Sequence, residues 1–161
     1  MPNWCANNIS IVGPRDKITA LWKTAIREDS NNGVTGLLEA MVPLGKWNYD
    51  TAIETWVTKW DVNIDGLVLA DCGKEISGSV DTAWSPPIAA MKTYRQENPE
   101  VGIKLTYFEF GCCFCGNYHN EVSKEYSINP EDLSNIPRAL VEEFNLEEIY
   151  LPRALAEEFD L

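Results

Sequence analysis

Basic residues are scarce in this chain. Its 161 residues hold 13 Lys and Arg against 25 Asp and Glu, a formal charge of −12. Such a field repels nucleic-acid backbones and membrane surfaces, and no basic stripe follows a phosphate chain. Long apolar runs are missing too, and no basic stretch precedes an apolar one at Met1-Pro2-Asn3-Trp4-Cys5. These absences argue against a membrane span and a signal peptide, and they place the expected protein in the cytoplasm. Neither standard glycine-rich phosphate loop occurs. The five cysteines are odd in number, which points to reduced thiols in the absence of an export signal.

Tryptophan, by contrast, is plentiful: six residues, most of them beside polar neighbours. The settings Asn3-Trp4-Cys5, Lys59-Trp60-Asp61 and Thr82-Ala83-Trp84-Ser85-Pro86-Pro87 suit rings that bury a face while the indole N–H meets a polar partner. Two readings follow. The three settings converge on one concave, half-polar site, or they form a core whose polar handles are satisfied locally.

The length suits one well-buried domain with a short appendage. Ile9 and Ile11 alternate within a strand over 4–12, closed by Gly13-Pro14. Ile18, Leu21, Trp22, Ala25 and Ile26 recur at helical spacing over 15–28. Residues 34–61 are irregular, with a short helix expected from Asp50, as N-cap, to Trp56. Strand-like runs at 62–70 and 76–84 flank Asp71-Cys72-Gly73-Lys74, a hairpin connection. Pro86-Pro87 opens a second helix that stops at Asn98-Pro99. A long strand through Ile103, Leu105, Tyr107 and Glu109 breaks at Gly111, and residues 113–126 return. The order predicts an α+β domain over 1–128 with the split β-α-β antiparallel sheet of ferredoxin-like folds, its helices on one face.

Residues 129–161 form a separate acidic unit. Nine acids and two arginines give it −7, leaving −5 for residues 1–128. Ile136 to Leu146 (IPRALVEEFNL) recurs 15 residues later as Leu151 to Leu161 (LPRALAEEFDL). Each copy places Leu and Phe four apart on one helical face and a glutamate pair on the other. Helices this short must dock on something, either the open face of the sheet or a second protomer. Glu142, Glu143, Glu147, Glu148, Glu157 and Glu158 would then offer an acidic face to a partner. The alternative is a duplicated cap whose charge serves solubility.

Three chemical readings compete. Cys112, Cys113, Cys115 and His119 invite a metal. Ligands crowded on one strand point to opposite faces, however, so small buried thiols fit better, and neither metal nor cofactor is assigned. Acyl transfer would have His119 as its sole base, with no motif to orient it. Asp61, Asp81 and Glu109 lie near the tryptophans as acid–base candidates, although nothing in their spacing requires that role. A binding surface is better supported. Asn3, Trp4, Trp60, Asp61, Thr82, Trp84, Ser85, Glu109, Gly111, Phe114 and Gly116 offer flat rings, acceptors and close backbone approach, suiting a planar ligand or a protein hot spot.

The opening Met1-Pro2-Asn3-Trp4-Cys5, then Trp56 to Asp61, Thr82 to Pro87, and Tyr107 to Gly111 with Phe114 and Gly116 resemble the signature blocks of one family. It is the YubB-type family of phage and conjugative-plasmid proteins with a ferredoxin-like domain. The blocks span residues 1 to about 120 in that family's order. This chain has Phe110 where the pattern often has proline, and its cysteines between Gly111 and Gly116 fall at variable places. The resemblance implies a setting in mobile genetic elements within a bacterial host rather than a reaction.

Together these features predict a non-enzymatic binding protein that obstructs a host defence component, such as a CRISPR or restriction complex. Its partner would be a basic or nucleic-acid-binding protein, with no direct contact to nucleic acid or membrane. Self-association through the C-terminal helices is a further expectation. The alternatives are a small-ligand or nucleotide-signal binder with a tryptophan-lined pocket, and a hydrolase using Asp61, Glu109 or His119. An anionic nucleotide would need Lys59, Lys74 or Lys104 in the site.

Overall fold

A computed structural model of the chain describes residues 3–29 and 33–150. Its centre is β1 (Trp4–Val12), the strand expected from the Ile9/Ile11 alternation. β1 is followed by α1 (Arg15–Ala25), the two-residue strands β2 (Glu28–Asp29) and β3 (Gly33–Val34), and the short helices α2 (Leu37–Met41) and α3 (Tyr49–Trp56). The sheet resumes with β4 (Leu67–Leu69) and β5 (Glu75–Ala83). Helix α4 (Ile88–Glu97) leads to β6 (Gly102–Glu109), β7 (Phe114–His119) and β8 (Val122–Ser127), and α5 (Arg138–Glu143) follows. The architecture is α+β. Six strands form one antiparallel sheet in the order β4-β5-β1-β6-β7-β8, and β2 and β3 pair separately.

Register explains the layering. Ile9 faces Gly78 on β5 and Leu105 on β6, while Ile11 faces Ile76 and Ile103, so one row of apolar side chains crosses the sheet. Ile18 and Leu21 of α1, Leu37, Leu38 and Met41 of α2, and Met91 and Tyr94 of α4 close over that row. The opposite face has its own cluster. Phe108 and Cys115 project there and meet Ile128, Ile136, Leu140, Val141, Leu146 and Tyr150. The first copy of the C-terminal repeat thus docks on the sheet of its own chain. The second copy lies outside the described residues.

Several expected elements differ. The strand expected at 62–70 shrinks to Leu67–Leu69, behind a 3-10 turn at Ile64–Gly66. Polar side chains bend this segment: Asp61 accepts from the Val62 N–H, and Asn63 accepts from the Asp65 N–H. The N-cap of α3 is Asn48, which accepts from the Thr51 N–H at 3.2 Å, rather than Asp50. Residues 113–126 divide into two strands at Asn120, which takes a left-handed conformation (φ 57). On α5 the glutamate pair does not point away from the sheet as one. Glu143 turns inward and accepts from Asn8 Nδ2 at 2.8 Å and Thr106 Oγ1 at 2.7 Å.

Leu140 is 3% exposed within the second cluster, so its truncation leaves a cavity. Leu140→Ala is expected to cost about 2–5 kcal/mol in urea unfolding. A cost below about 1 kcal/mol would contradict the docking of α5.

Candidate functional site

Trp4 opens β1, Trp84 follows β5, and Trp60 belongs to the loop after α3. Three distant parts of the chain therefore converge at one end of the sheet. The Trp4 and Trp60 ring centroids lie 6.0 Å apart, tilted by 32°. The Lys59 ammonium stands 4.3 Å from the Trp60 ring centre and 5.8 Å from that of Trp84. All three rings are solvent-accessible: Trp4 is 51% exposed, and Trp60 and Trp84 are each 39% exposed. The three settings converge, but as an open aromatic ridge rather than the concave site expected.

Polar groups beneath the ridge hold it in place. Buried Thr58 bonds both backbone groups of Ala83: its hydroxyl donates to the Ala83 carbonyl and accepts from the Ala83 N–H, each at 3.1 Å. The loop carrying Lys59 and Trp60 is thereby fixed to the end of β5. Trp47 Nε1 donates to the Lys59 carbonyl at 3.0 Å. The Trp84 N–H donates to the Asn3 carbonyl at 2.8 Å, which ties β5 to the start of β1. Buried Thr82 accepts from Asn7 Nδ2 and donates to the Ser85 carbonyl. Two backbones beside the ridge are strained, with Val57 at φ 65 and Trp84 at φ 67. A left-handed conformation in a β-branched or bulky residue costs on the order of 1–3 kcal/mol, and such strain clusters at functional sites.

Asp61 and Glu109 are engaged with backbone. Asp61 accepts from the N–H groups of Leu38 (2.8 Å), Glu39 (2.9 Å) and Val62 (2.7 Å), capping α2. Gly36, at φ 97, makes room for it, since a Cβ there would lie 2.3 Å from Asp61 Oδ2. Burial pushes the Asp61 carboxyl up to about 6, against the pull of the three backbone donors. Buried Glu109 accepts from the Gly111 and Cys112 N–H groups and closes the turn after β6. The Asn3 side chain approaches Gly111 closely, and a Cβ there would push its amide aside.

The remaining expected residues scatter. Phe114 packs edge-on against Tyr107 beneath the sheet, and Gly116 is buried where a Cβ would strike the Lys124 carbonyl. Cys113 precedes β7 in a turn rather than sharing a strand face with Cys115. Cys115 is buried in the second cluster, and His119 is exposed at the far end of β7. Burial pushes the Cys5 thiol up to about 12 and the Cys115 thiol up to about 11, so both stay protonated at neutral pH. Among the described residues no group of three or more His, Cys, Asp and Glu is placed to hold a metal ion, and no helix is long and apolar enough to cross a membrane. Arg138 bridges Glu142 and Glu147 of the expected acidic face; Glu157 and Glu158 lie outside the described residues.

Two grooves flank the ridge, and Asp61 and Asn63 line both. One, of about 620 Å³, runs along β1 and β5 between Trp4 and the end of α5, with Asn8, Ser79, Asp81 and Glu143 on its walls. The other, of about 960 Å³, lies against Trp47, Trp56 and Trp60, with Glu39, Lys46 and Asp65. Sequence reasoning singled out the three ridge tryptophans but missed Thr58, Asn7 and Trp47. Each of these acts through a partner remote in sequence, as with Thr58 on Ala83, so no local pattern marks it.

Removing the Thr58 hydroxyl tests the anchoring. Thr58→Val leaves the buried Ala83 N–H without its acceptor, while the Ala83 carbonyl still accepts from the Ser85 N–H, and is expected to cost about 1–3 kcal/mol; unchanged denaturation midpoints would refute it. Asp61 gives a pH test. A carboxyl raised on folding contributes stability that is complete below its ordinary value of 3.8 and is lost as pH rises through about 6. Unfolding free energy, measured relative to Asp61→Asn, should therefore fall between pH 4 and 6 and level off above. A difference that does not vary with pH would show that Asp61 is not held in this way.

Comparison of the chain with protein-family models, with curated proteins and with solved structures returned no match.

Proposed function

We propose that this chain is a non-enzymatic binding protein of a phage or conjugative plasmid. It counters a host defence system, such as a CRISPR or restriction complex, by covering a basic, nucleic-acid-binding surface of one component. The observation that carries this reading is the ridge of Trp4, Trp60 and Trp84. Its three accessible indoles come from separate chain segments, and carboxylate-lined grooves lie on either side. Exposed tryptophans around a polar rim are the usual anchors of protein interfaces, and the −12 charge selects a basic partner. The mobile-element setting rests on the resemblance of residues 1 to about 120 to the YubB-type family.

We also infer a ferredoxin-like topology for the core. Supporting it, β4, β5, β1 and β6 lie in the split β-α-β order, with β7 and β8 added beyond β6. The groove of about 620 Å³ beside Trp4 favours a second reading, the capture of a small polar ligand. Mass spectrometry of the natively purified protein tests it, and a ligand-free spectrum counts against it.

The main reading is tested by phage plating on defence-positive hosts expressing the chain. Expression should restore plaques by at least about tenfold, and a paired Trp4→Ala/Trp60→Ala variant of unchanged stability should lose that rescue. A double variant that protects phage as well as the wild type sinks the ridge as the contact site. Failure of the wild type on every defence-positive host sinks the anti-defence role.

A further inference from the structure

Among the described residues only Lys17, Arg95 and Arg138 form ion pairs, so a cation without one is common in this chain. Lys59 is set apart by its position, with its ammonium over the indole faces of both Trp60 and Trp84. The backbone around it is fixed, through Thr58 at Ala83 and through the Lys59 carbonyl at Trp47. The ammonium is on a flexible four-carbon stem and can swing away without disturbing these anchors. Trp60 and Trp84 therefore hold a ready-made cation position, filled from within.

We propose that Lys59 is an internal stand-in for an arginine of the protein partner. The incoming guanidinium displaces the ammonium and stacks on the ridge. This inference rests on the reading of the ridge as the docking surface for a basic protein. Ring faces attract cations through their quadrupole, and tryptophan does so most strongly. Arginine fits better than lysine because its planar, weakly hydrated group covers more of an indole face and its forked donors suit carboxylates. Asp81 is an exposed acceptor in the groove that begins at Trp4, the ring neighbouring Trp60. A resident cation also discriminates, since weakly basic surfaces fail to evict it and only clustered arginines compete.

The test is calorimetric titration of the full chain with an arginine hexapeptide at constant low salt. It compares the wild type with Lys59→Gln, Trp60→Ala and Lys92→Gln, an exposed control on α4 that makes the same change in net charge. Lys59→Gln should bind the peptide about two- to fivefold more tightly than Lys92→Gln, the value of one exposed cation–ring contact. Trp60→Ala should weaken binding. If Lys59→Gln binds no tighter than Lys92→Gln while Trp60→Ala still weakens binding, the stand-in is overturned and the ridge reading survives. If Trp60→Ala binds as well as the wild type, both fall. A single-stranded oligonucleotide that binds the wild type and is lost in Lys59→Gln would overturn the proposal by making Lys59 an anion contact.

Discussion

The ridge depends on one constraint: the loop from Val57 to Asn63 is pinned at two points by buried polar side chains. Thr58 closes both backbone groups of Ala83, and Asp61 gathers the amides of Leu38, Glu39 and Val62. Between these pins Lys59 and Trp60 have little backbone freedom. Side-chain entropy already lost in the free protein is not lost again on binding, which favours a preorganised contact. The left-handed Val57 ends α3, donating its N–H to the Ile53 carbonyl, and burial raises the Asp61 carboxyl at the second pin.

The apolar framework was largely legible in the sequence. Strand β1 and helix α4 were announced by alternation and by Pro86-Pro87, because a two-residue period and a helix-opening proline are local signals. The tryptophan settings were legible for a related reason, since polar neighbours mark rings that keep one side in water. Where the reading went astray, side chains bonded to backbone at a distance. Val62 to Gly66 is apolar enough for a strand, yet Asp61 and Asn63 fold it into a turn. Asp61 and Glu109 were identified as site carboxylates but not as caps, because their donors are set by the tertiary fold.

The cysteines illustrate the same limit. A single strand would turn Cys112 to one face and Cys113 and Cys115 to the other. Residue 113 instead adopts a left-handed turn (φ 55), where the alternation of faces no longer applies. Cys115 then belongs to the cluster under α5, and Cys112 stays near Asn3. Spacing alone does not fix the direction of a side chain next to a turn.

The position of the C-terminal segment links charge to recognition. A surface that is only acidic attracts any basic protein, and its pull beyond about 10 Å is screened by salt. Aromatic anchors confer selectivity but exert little force at a distance. Here the two are adjacent because α5 docks on the sheet face away from the other helices, with Glu143 held by Asn8 of β1 and Thr106 of β6. Glu143 and Phe144 thus form the far wall of the groove that starts at Trp4. Docking the tail brings the start of the most acidic part of the chain to the rim of the tryptophan ridge. Under the proposed function, steering would deliver a basic partner to the place where flat rings can select it.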